Sequence, residues 1–245
     1  MILAEDTRHS RGLLDRYAIR TPMASYHEHN EARTTPALVA RLESGDQLAL
    51  ITDAGTPLVS DPGQRLVHAA IAAGIRVVPI PGASAALAAL VASGLDAERC
   101  AFFGFLPRKG RERASALDEI ASSSMTAVLY EGPARVAATL SDLAKRAPGR
   151  AACVAREMTK QFEEFRRGTL EELAAYYNKE GAPRGEVVLL VAGAPPALVD
   201  EDALARVAVA LRGSGLSARD VVAELVKRGL PRNAAYRIAR MADNG

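Results

Sequence analysis

Short apolar runs along this chain alternate with longer stretches in which apolar positions recur every three or four residues. The runs Ile2–Ala4, Met23–Tyr26, Leu48–Thr52 and Ile75–Ile80 predict strands. Between them the wider spacing predicts helices over Thr7–Tyr17, Thr35–Ser44, the stretch up to Gly74, and Ser84–Ser93. Asp61 suits a cap for the third of these helices, with Pro62 at its first position and Gly74 as its stop. Strand–helix alternation of this kind predicts an α/β protein with parallel strands and helices on both faces.

The run Phe102-Phe-Gly-Phe-Leu-Pro107 closes this half, and a division near 105–112 is expected. The second half predicts a helix over Arg113–Ala121, a strand Ala127–Tyr130, a helix Arg135–Arg146, a strand Ala152–Arg156, a helix Thr169–Tyr177 and a strand Glu186–Ala192. Gly193-Ala-Pro-Pro196 reads as a linker. Three short helices follow, over Glu201–Leu211, Ala218–Arg228 and Asn233–Met241. Their tight Gly229-Leu-Pro231 turn fits a helix-turn-helix-like unit. The expected parts are residues 1–107, 108–194 and 198–245.

Composition adds little until it is placed on this map. Of the 245 residues 49% are hydrophobic, but Trp is absent and aromatics reach only 4%, so Ala, Val and Leu must fill the core. A net charge of +2 is too small to argue for nucleic acid by itself. Its distribution says more: Arg108, Lys109, Arg111 and Arg113 are clustered, and six basic residues lie between Arg219 and Arg240. Cys100 and Cys153 are isolated in apolar settings, which reads as buried free thiols of a cytoplasmic protein. No apolar run approaches the roughly 20 residues a membrane span needs. Met1-Ile-Leu-Ala4 reads as the end of a buried strand, so a further segment ahead of Met1 is expected.

Candidate chemistry sits at the strand ends. Asp53-Ala-Gly-Thr-Pro57, Asp61-Pro-Gly63 and Pro81-Gly-Ala-Ser-Ala85 all fall where an apolar run stops and a helix is about to begin. In open α/β sheets ligands bind beyond the carboxyl ends of strands, and small-residue turns let backbone amides approach them. This arrangement predicts an enzyme acting on or with a small molecule. His27 and His29 share one face of a strand, but no third ligand is evident, so no metal is expected.

Eight motifs in sequence order carry a resemblance: Ala4-Glu-Asp-Thr-Arg-His9, His27-Glu-His-Asn30, Thr52-Asp-Ala-Gly-Thr-Pro57, Ser60-Asp-Pro-Gly63, Pro79-Ile-Pro-Gly-Ala-Ser84, Gly104-Phe-Leu-Pro-Arg108, Tyr130-Glu131 and Ala155-Arg-Glu-Met-Thr-Lys160. Together they make the chain similar, over essentially its whole length, to the ribosomal RNA small subunit methyltransferase I family of the tetrapyrrole methylase superfamily. The resemblance implies two α/β domains with S-adenosylmethionine in the cleft between them, plus the C-terminal helical module. It implies a homodimer that methylates the ribose 2′-hydroxyl of a cytidine in the 16S rRNA of the small subunit. In one respect the chain departs from the pattern: no Thr-Pro-Ile-Gly-Asn-like turn precedes Ala4.

The same resemblance supplies site residues. Asp53, Gly55, Thr56, Pro57, Val59, Ser84 and Ala85 would meet the cofactor from the first half, with Thr56 standing where the wider superfamily has an acid. Tyr130, Glu131, Ala155 and Glu186 would meet it from the second. Removing the hydroxyl proton needs a base, for which Glu5, Asp6, His27 and Glu157 are candidates. Arg8 and Lys160 would hold a phosphate or lower the hydroxyl's pKa. Arg108, Lys109, Arg111 and Arg113 would contact RNA phosphates near the cleft, and Arg232, Arg237 and Arg240 would form a docking face on the last helices. Two alternatives stand beside this reading: a methyltransferase acting on a tetrapyrrole or other small molecule, and a catalytically inactive RNA-binding protein.

Overall fold

The structure is a computed structural model, and it describes residues 1–195 and 201–242. Pro196, the last residue of the expected linker, lies outside the described residues. The chain divides into two compact units, residues 1–193 and 194–245.

The first unit begins with a three-stranded parallel sheet. Strands β1 (Ile2–Ala4), β2 (Met23–Ser25) and β3 (Ala49–Ile51) run in the order β2-β1-β3. Leu3 pairs with Ala24 on one side and Leu50 on the other. Helix α1 (Thr7–Arg16) starts where β1 ends, because Asp6 accepts the amides of Arg8 and His9 as its N-cap. Helices α2 (Glu31–Glu43) and α3 (Gln64–Ala72) cover the sheet through Leu38 and Leu66, which pack with Leu3 and Tyr26. The N-cap of α3 is Gly63, not the expected Asp61, which leaves the Asp61 carboxylate free for other contacts.

The expected strand over Ile75–Ile80 does not form. Its apolar side chains find no facing layer: Val78 is 56% and Ile80 81% exposed. A strand is stabilised by ladder bonds and cross-strand contacts, and hydrophobicity alone supplies neither.

The second sheet has five strands, ordered β4-β5-β8-β6-β7. They are β4 (Cys100–Phe105), β5 (Thr126–Glu131), β6 (Ala151–Arg156), β7 (Glu164–Thr169) and β8 (Val187–Val191). β4 and β5 are parallel, whereas β8 is antiparallel to both β5 and β6, and β7 is antiparallel to β6. The parallel expectation therefore fails here, and β7 is an addition that the sequence pattern did not show. β4 already belongs to this second sheet, so the change of sheet comes ahead of the expected division near 105–112. Cys100, at the start of β4, is exposed rather than buried, while Cys153 is buried.

Both faces of the second sheet are covered. Helices α5 (Gly110–Ser122), α6 (Val136–Arg146, entered through a 3-10 turn at Pro133–Arg135) and α7 (Leu170–Glu180) carry one face. Leu117, Leu140, Leu143, Leu173 and Tyr177 pack there on Leu129, Val154 and Leu189. Helix α4 (Ala85–Ser93) lies on the other face, where Ala89 and Leu90 meet Val128, Cys153, Ala155 and Val188. The unbroken run Val187–Val191 is buried along its whole length, as expected for a central strand covered on both sides.

In the second unit, helices α8 (Glu201–Gly213), α9 (Ala218–Lys227) and α10 (Arg232–Met241) close around Ala208, Val221, Leu225 and Ile238. Ser217 caps α9 by accepting the Asp220 amide. No helix among the described residues is long and apolar enough to cross a membrane.

Candidate active site

The carboxyl ends of β1 and β3 bring the first set of nominated residues together. The Asp6 amide donates to Asp53 Oδ1 at 3.3 Å, joining the two strand ends. The Thr52 hydroxyl lies 3.1 Å from Glu5 Oε2 and 2.8 Å from Asp61 Oδ2. One hydroxyl has one proton to donate, so it serves one of these two carboxylates at a time. Burial, opposed by the Thr52 hydrogen bond and reinforced by the nearby charge of Asp53, raises the Asp61 carboxyl above its ordinary value. Asp6 behaves oppositely: the Arg8 and His9 amides hold its carboxylate below the usual range.

The turn after β3 then folds against its neighbours. Thr56 Oγ1 donates to the Ala83 carbonyl at 2.9 Å, tying the Asp53–Pro57 turn to the Pro81–Ala85 turn. Gly55 adopts φ +77, and Leu58 and Ser60 adopt φ +73 and +69. Left-handed backbone at two non-glycine residues in one loop is strain of the kind that collects at ligand sites. Val59 is part-exposed on this loop. Ser60 reaches the second sheet, where a Cβ on Gly104 of β4 would come within 3.0 Å of its Oγ. Ser84 caps α4 by accepting the Leu87 amide at 3.4 Å, and Ala85 opens the helix with its first amides.

Tyr130 approaches these turns from the second sheet. Its ring contacts Phe102 and Phe105 edge-on at 5.0 and 5.5 Å. Its hydroxyl pKa is raised chiefly by burial, with the Ala86 amide and the Asp61 charge acting on it as well. The loops of the first sheet, the start of α4 and Tyr130 therefore lie against one another.

Other nominated residues take different places. Glu131 has no exposed side-chain surface. Its Oε1 is 3.2 Å from Arg135 Nε and accepts the Gly132 amide, and Thr139 donates to its Oε2 at 2.6 Å. It ties the end of β5 to α6 and has no side-chain surface to offer a ligand. Ala155 is fully buried beneath α4.

Glu157, Lys160 and Glu186 form a separate group at the ends of β6 and β8. Lys160 Nζ bridges Glu157 Oε1 at 2.9 Å and Glu186 Oε2 at 3.1 Å. Lys160 and the Glu186 amide hold the Glu157 carboxylate below its usual range. Among the described residues, no hydrogen bond or ion pair joins this group to Glu5, Asp6 or Asp61.

The basic cluster divides. Arg113 is committed to Asp142 (3.2 Å), Thr139 and the Pro107 carbonyl, with a side chain only 12% exposed, and so leaves the expected RNA-facing set. Arg108, Lys109 and Arg111 remain exposed at the start of α5, and Arg8 is exposed on α1. In the second unit Arg237 pairs with Glu201 at 2.6 Å, and Arg232 lies 5.9 Å from the Tyr236 ring centre. His27 Nδ1 is buried without a hydrogen-bond partner. Among the described residues, no group of three or more His, Cys, Asp or Glu could hold a metal ion.

Comparison with known proteins shows the family. The family of tetrapyrrole (corrin/porphyrin) methylases matches residues 1–174. A Synechocystis protein named ribosomal RNA small subunit methyltransferase I is 45% identical over 238 residues, covering 97% of this chain and 81% of that protein. The chain belongs to the ribosomal RNA small subunit methyltransferase I family of tetrapyrrole methylases. Another member, from Mesorhizobium japonicum, is 50% identical over 204 residues, covering 83% of this chain and 69% of its own. Solved structures share the fold. The methyltransferase CobJ gives a TM-score of 0.52 at 17% identity, over 79% of this chain and 93% of its own. The cobalt precorrin-4 methyltransferase CbiF gives 0.51 at 15%, over 78% of this chain and 82% of its own.

Thr52 and Asp61, which join Glu5 in one hydrogen-bonded group, were not among the individual residues expected at the site. Both lie inside motifs that define the family resemblance. The signal was obscured because Asp-Pro ahead of a helix also reads as a cap, a task that falls here to Gly63.

Proposed function

We propose that this protein transfers the methyl group of S-adenosylmethionine to the ribose 2′-hydroxyl of a cytidine in small-subunit ribosomal RNA. The observation that carries the reading is the name and 45% identity of a relative matched over 97% of this chain. The strand-end turns support it. Gly55, with φ +77, and the first amides of α4 at Ser84 and Ala85 offer backbone groups to a polar ligand, and Tyr130 and Phe105 offer apolar surface. Gly55–Pro57, Ser84, Ala85 and Tyr130 would hold the cofactor, which supplies an electrophilic methyl group.

The chain's own task is to place the ribose oxygen and take its proton. Asp6 and Glu157 suit that poorly, because amide and ammonium partners stabilise their ionised forms. The Glu5–Thr52–Asp61 group is better matched, since burial raises the proton affinity of the Asp61 carboxylate. Arg108, Lys109 and Arg111 would contact RNA phosphates, as would the exposed Arg232 and Arg240 of the second unit. A homodimer in the cytoplasm belongs to the same reading. Exposed Ile80 and Phe105 support a covering partner, and sedimentation equilibrium tests it.

The deciding experiment incubates the protein with methyl-tritiated S-adenosylmethionine and small ribosomal subunits, then digests the rRNA to nucleosides. Label in 2′-O-methylcytidine is expected. Label on another nucleoside corrects the target, and no label in RNA overturns the reading.

A further inference from the structure

The ladder of the first sheet ends on the pair Ala4 and Ile51. Glu5 and Thr52 are therefore the next residues along two parallel strands, side by side at their carboxyl ends. The Asp6 amide, bonded to Asp53 Oδ1, keeps these strand ends from parting. Asp61 reaches them from the loop that follows. Gly63, at φ +130, lies so close on β3 that a Cβ there would overlap the Leu50 side chain, which seats the loop on the strand. Because Gly63 takes the cap position of α3, the Asp61 carboxylate is free to turn toward Thr52.

The hydroxyl between the two carboxylates has one proton to give and lone pairs to accept with. Asp61 Oδ2, at 2.8 Å, is the nearer acceptor, and Glu5 Oε2, at 3.1 Å, the farther. Among the described residues nothing donates to Asp61 Oδ1. Asp61 is thus held by one oxygen and open at the other. Once Oδ1 carries a proton, Oδ2 becomes a neutral carbonyl and a weaker acceptor than the Glu5 carboxylate. The threonine proton then has its better partner on the other side, reached by rotation about one C–O bond.

We infer that Thr52 is a positioning residue for proton removal: it holds Asp61 by Oδ2, leaves Oδ1 to the ribose hydroxyl, and turns its own proton to Glu5 once Asp61 is neutral. The inference rests on the methyl-transfer reading above. In that step the ribose oxygen–methyl bond forms, the sulfur–methyl bond of S-adenosylmethionine breaks to leave S-adenosylhomocysteine, and the hydroxyl proton ends on Asp61 Oδ1. Glu5 at the end of β1, Asp53 in the turn after β3 and Tyr130 on β5 are the titratable groups around Asp61. Against the burial that raises this carboxyl, the Thr52 bond favours its ionised form.

The test follows methyl transfer to small subunits across pH for wild type, Thr52→Val, Thr52→Ser and Glu5→Gln. Thr52→Val keeps the side-chain shape and is expected to lower kcat about tenfold, with KM and S-adenosylhomocysteine affinity kept. The acid limb of its kcat profile should move to higher pH, because the ionised carboxylate has lost its donor. Thr52→Ser restores the hydroxyl and should restore both. Glu5→Gln should move the limb the opposite way, and by less when Thr52 is already Val, since the hydroxyl couples the two. Equal losses in the Val and Ser variants, an unmoved limb in Thr52→Val, or a full Glu5→Gln shift without the hydroxyl would each overturn the inference while wild-type transfer upholds the functional reading. Carbon-13 NMR of the Asp61 carboxyl reads the same contact without turnover, and its titration midpoint should rise in Thr52→Val. If wild type transfers no methyl group, the functional reading fails by itself. A raised midpoint then keeps the hold of Thr52 on Asp61, and an unchanged one overturns that as well.

Discussion

Glu131 and Arg135 form an ion pair at 3.2 Å in which the carboxylate has no exposed surface. The same guanidinium reaches the carbonyls of Leu106 and Pro107 at 2.9 and 3.2 Å. The end of β5 is thereby tied to the segment that follows β4, beside Tyr130. Replacing Glu131 with Ala leaves the partly buried Arg135 without its carboxylate and the Thr139 hydroxyl proton without its acceptor. A loss of about 3 kcal/mol in unfolding free energy is expected from urea titration. Cofactor affinity of the folded fraction should hold. A loss of affinity at full folding would restore Glu131 to the ligand-contacting set.

Asp61 predicts a pH dependence whose sign follows from its raised pKa. The folded state prefers the protonated carboxyl more than the unfolded chain does. Its stabilising contribution is therefore complete below the ordinary carboxylate value and is lost as pH rises through the raised one. Glu5, Asp53 and Tyr130 are the titratable groups around it. In Asp61→Asn this loss should vanish, so the variant gains on wild type across that window in thermal scans at stepped pH. If the aspartate also serves as the base, kcat falls by about a hundredfold or more in the same variant.

Gly185 predicts a steric effect. It adopts φ +86, and a Cβ there would overlap the Glu157 carboxylate that Lys160 and the Glu186 amide hold in place. Gly185→Ala is expected to cost about 2 kcal/mol. It should also free Lys160, which heteronuclear NMR of its ammonium group would register as faster proton exchange. A variant with wild-type stability would show that the loop has room to shift.

The basic cluster predicts a division of labour. Reversing the charges of Arg108, Lys109 and Arg111 should weaken RNA binding and reduce the salt slope by about one for each phosphate left without its cation. Arg113→Ala should leave that slope unchanged and instead lower stability, since its guanidinium holds Asp142, Thr139 and the Pro107 carbonyl. Filter binding across a salt series separates the two. An altered slope in Arg113→Ala would return it to the RNA-facing set.

The elements most legible in the sequence were those with local causes. The helices predicted from Thr7, Ser84 and Ala218 begin within a residue of those positions, and the buried run Val187–Val191 is a central strand. What was hidden depends on distant partners. Ile75–Ile80 has the composition of a strand but no neighbour to pair with. β7, Glu164–Thr169, has a charged sequence that pairs because Arg156 and Val154 sit opposite Glu164 and Arg166. At the site, the strand-end turns announced themselves through Gly and Pro. The burial of Glu131 and the commitment of Arg113 follow from α6 packing across them, which no local pattern encodes.

The position of β8 has a consequence for how the protein is made. It lies between β5 and β6 and pairs with both, yet it is the last strand of its sheet to be synthesised. Until residue 191 leaves the ribosome, the sheet exists as two separate ribbons, β4–β5 and β6–β7, each with an open edge. Closure must await the final strand, so this unit folds late in translation, and a chain halted before Val187 carries two unpaired edges open to aggregation.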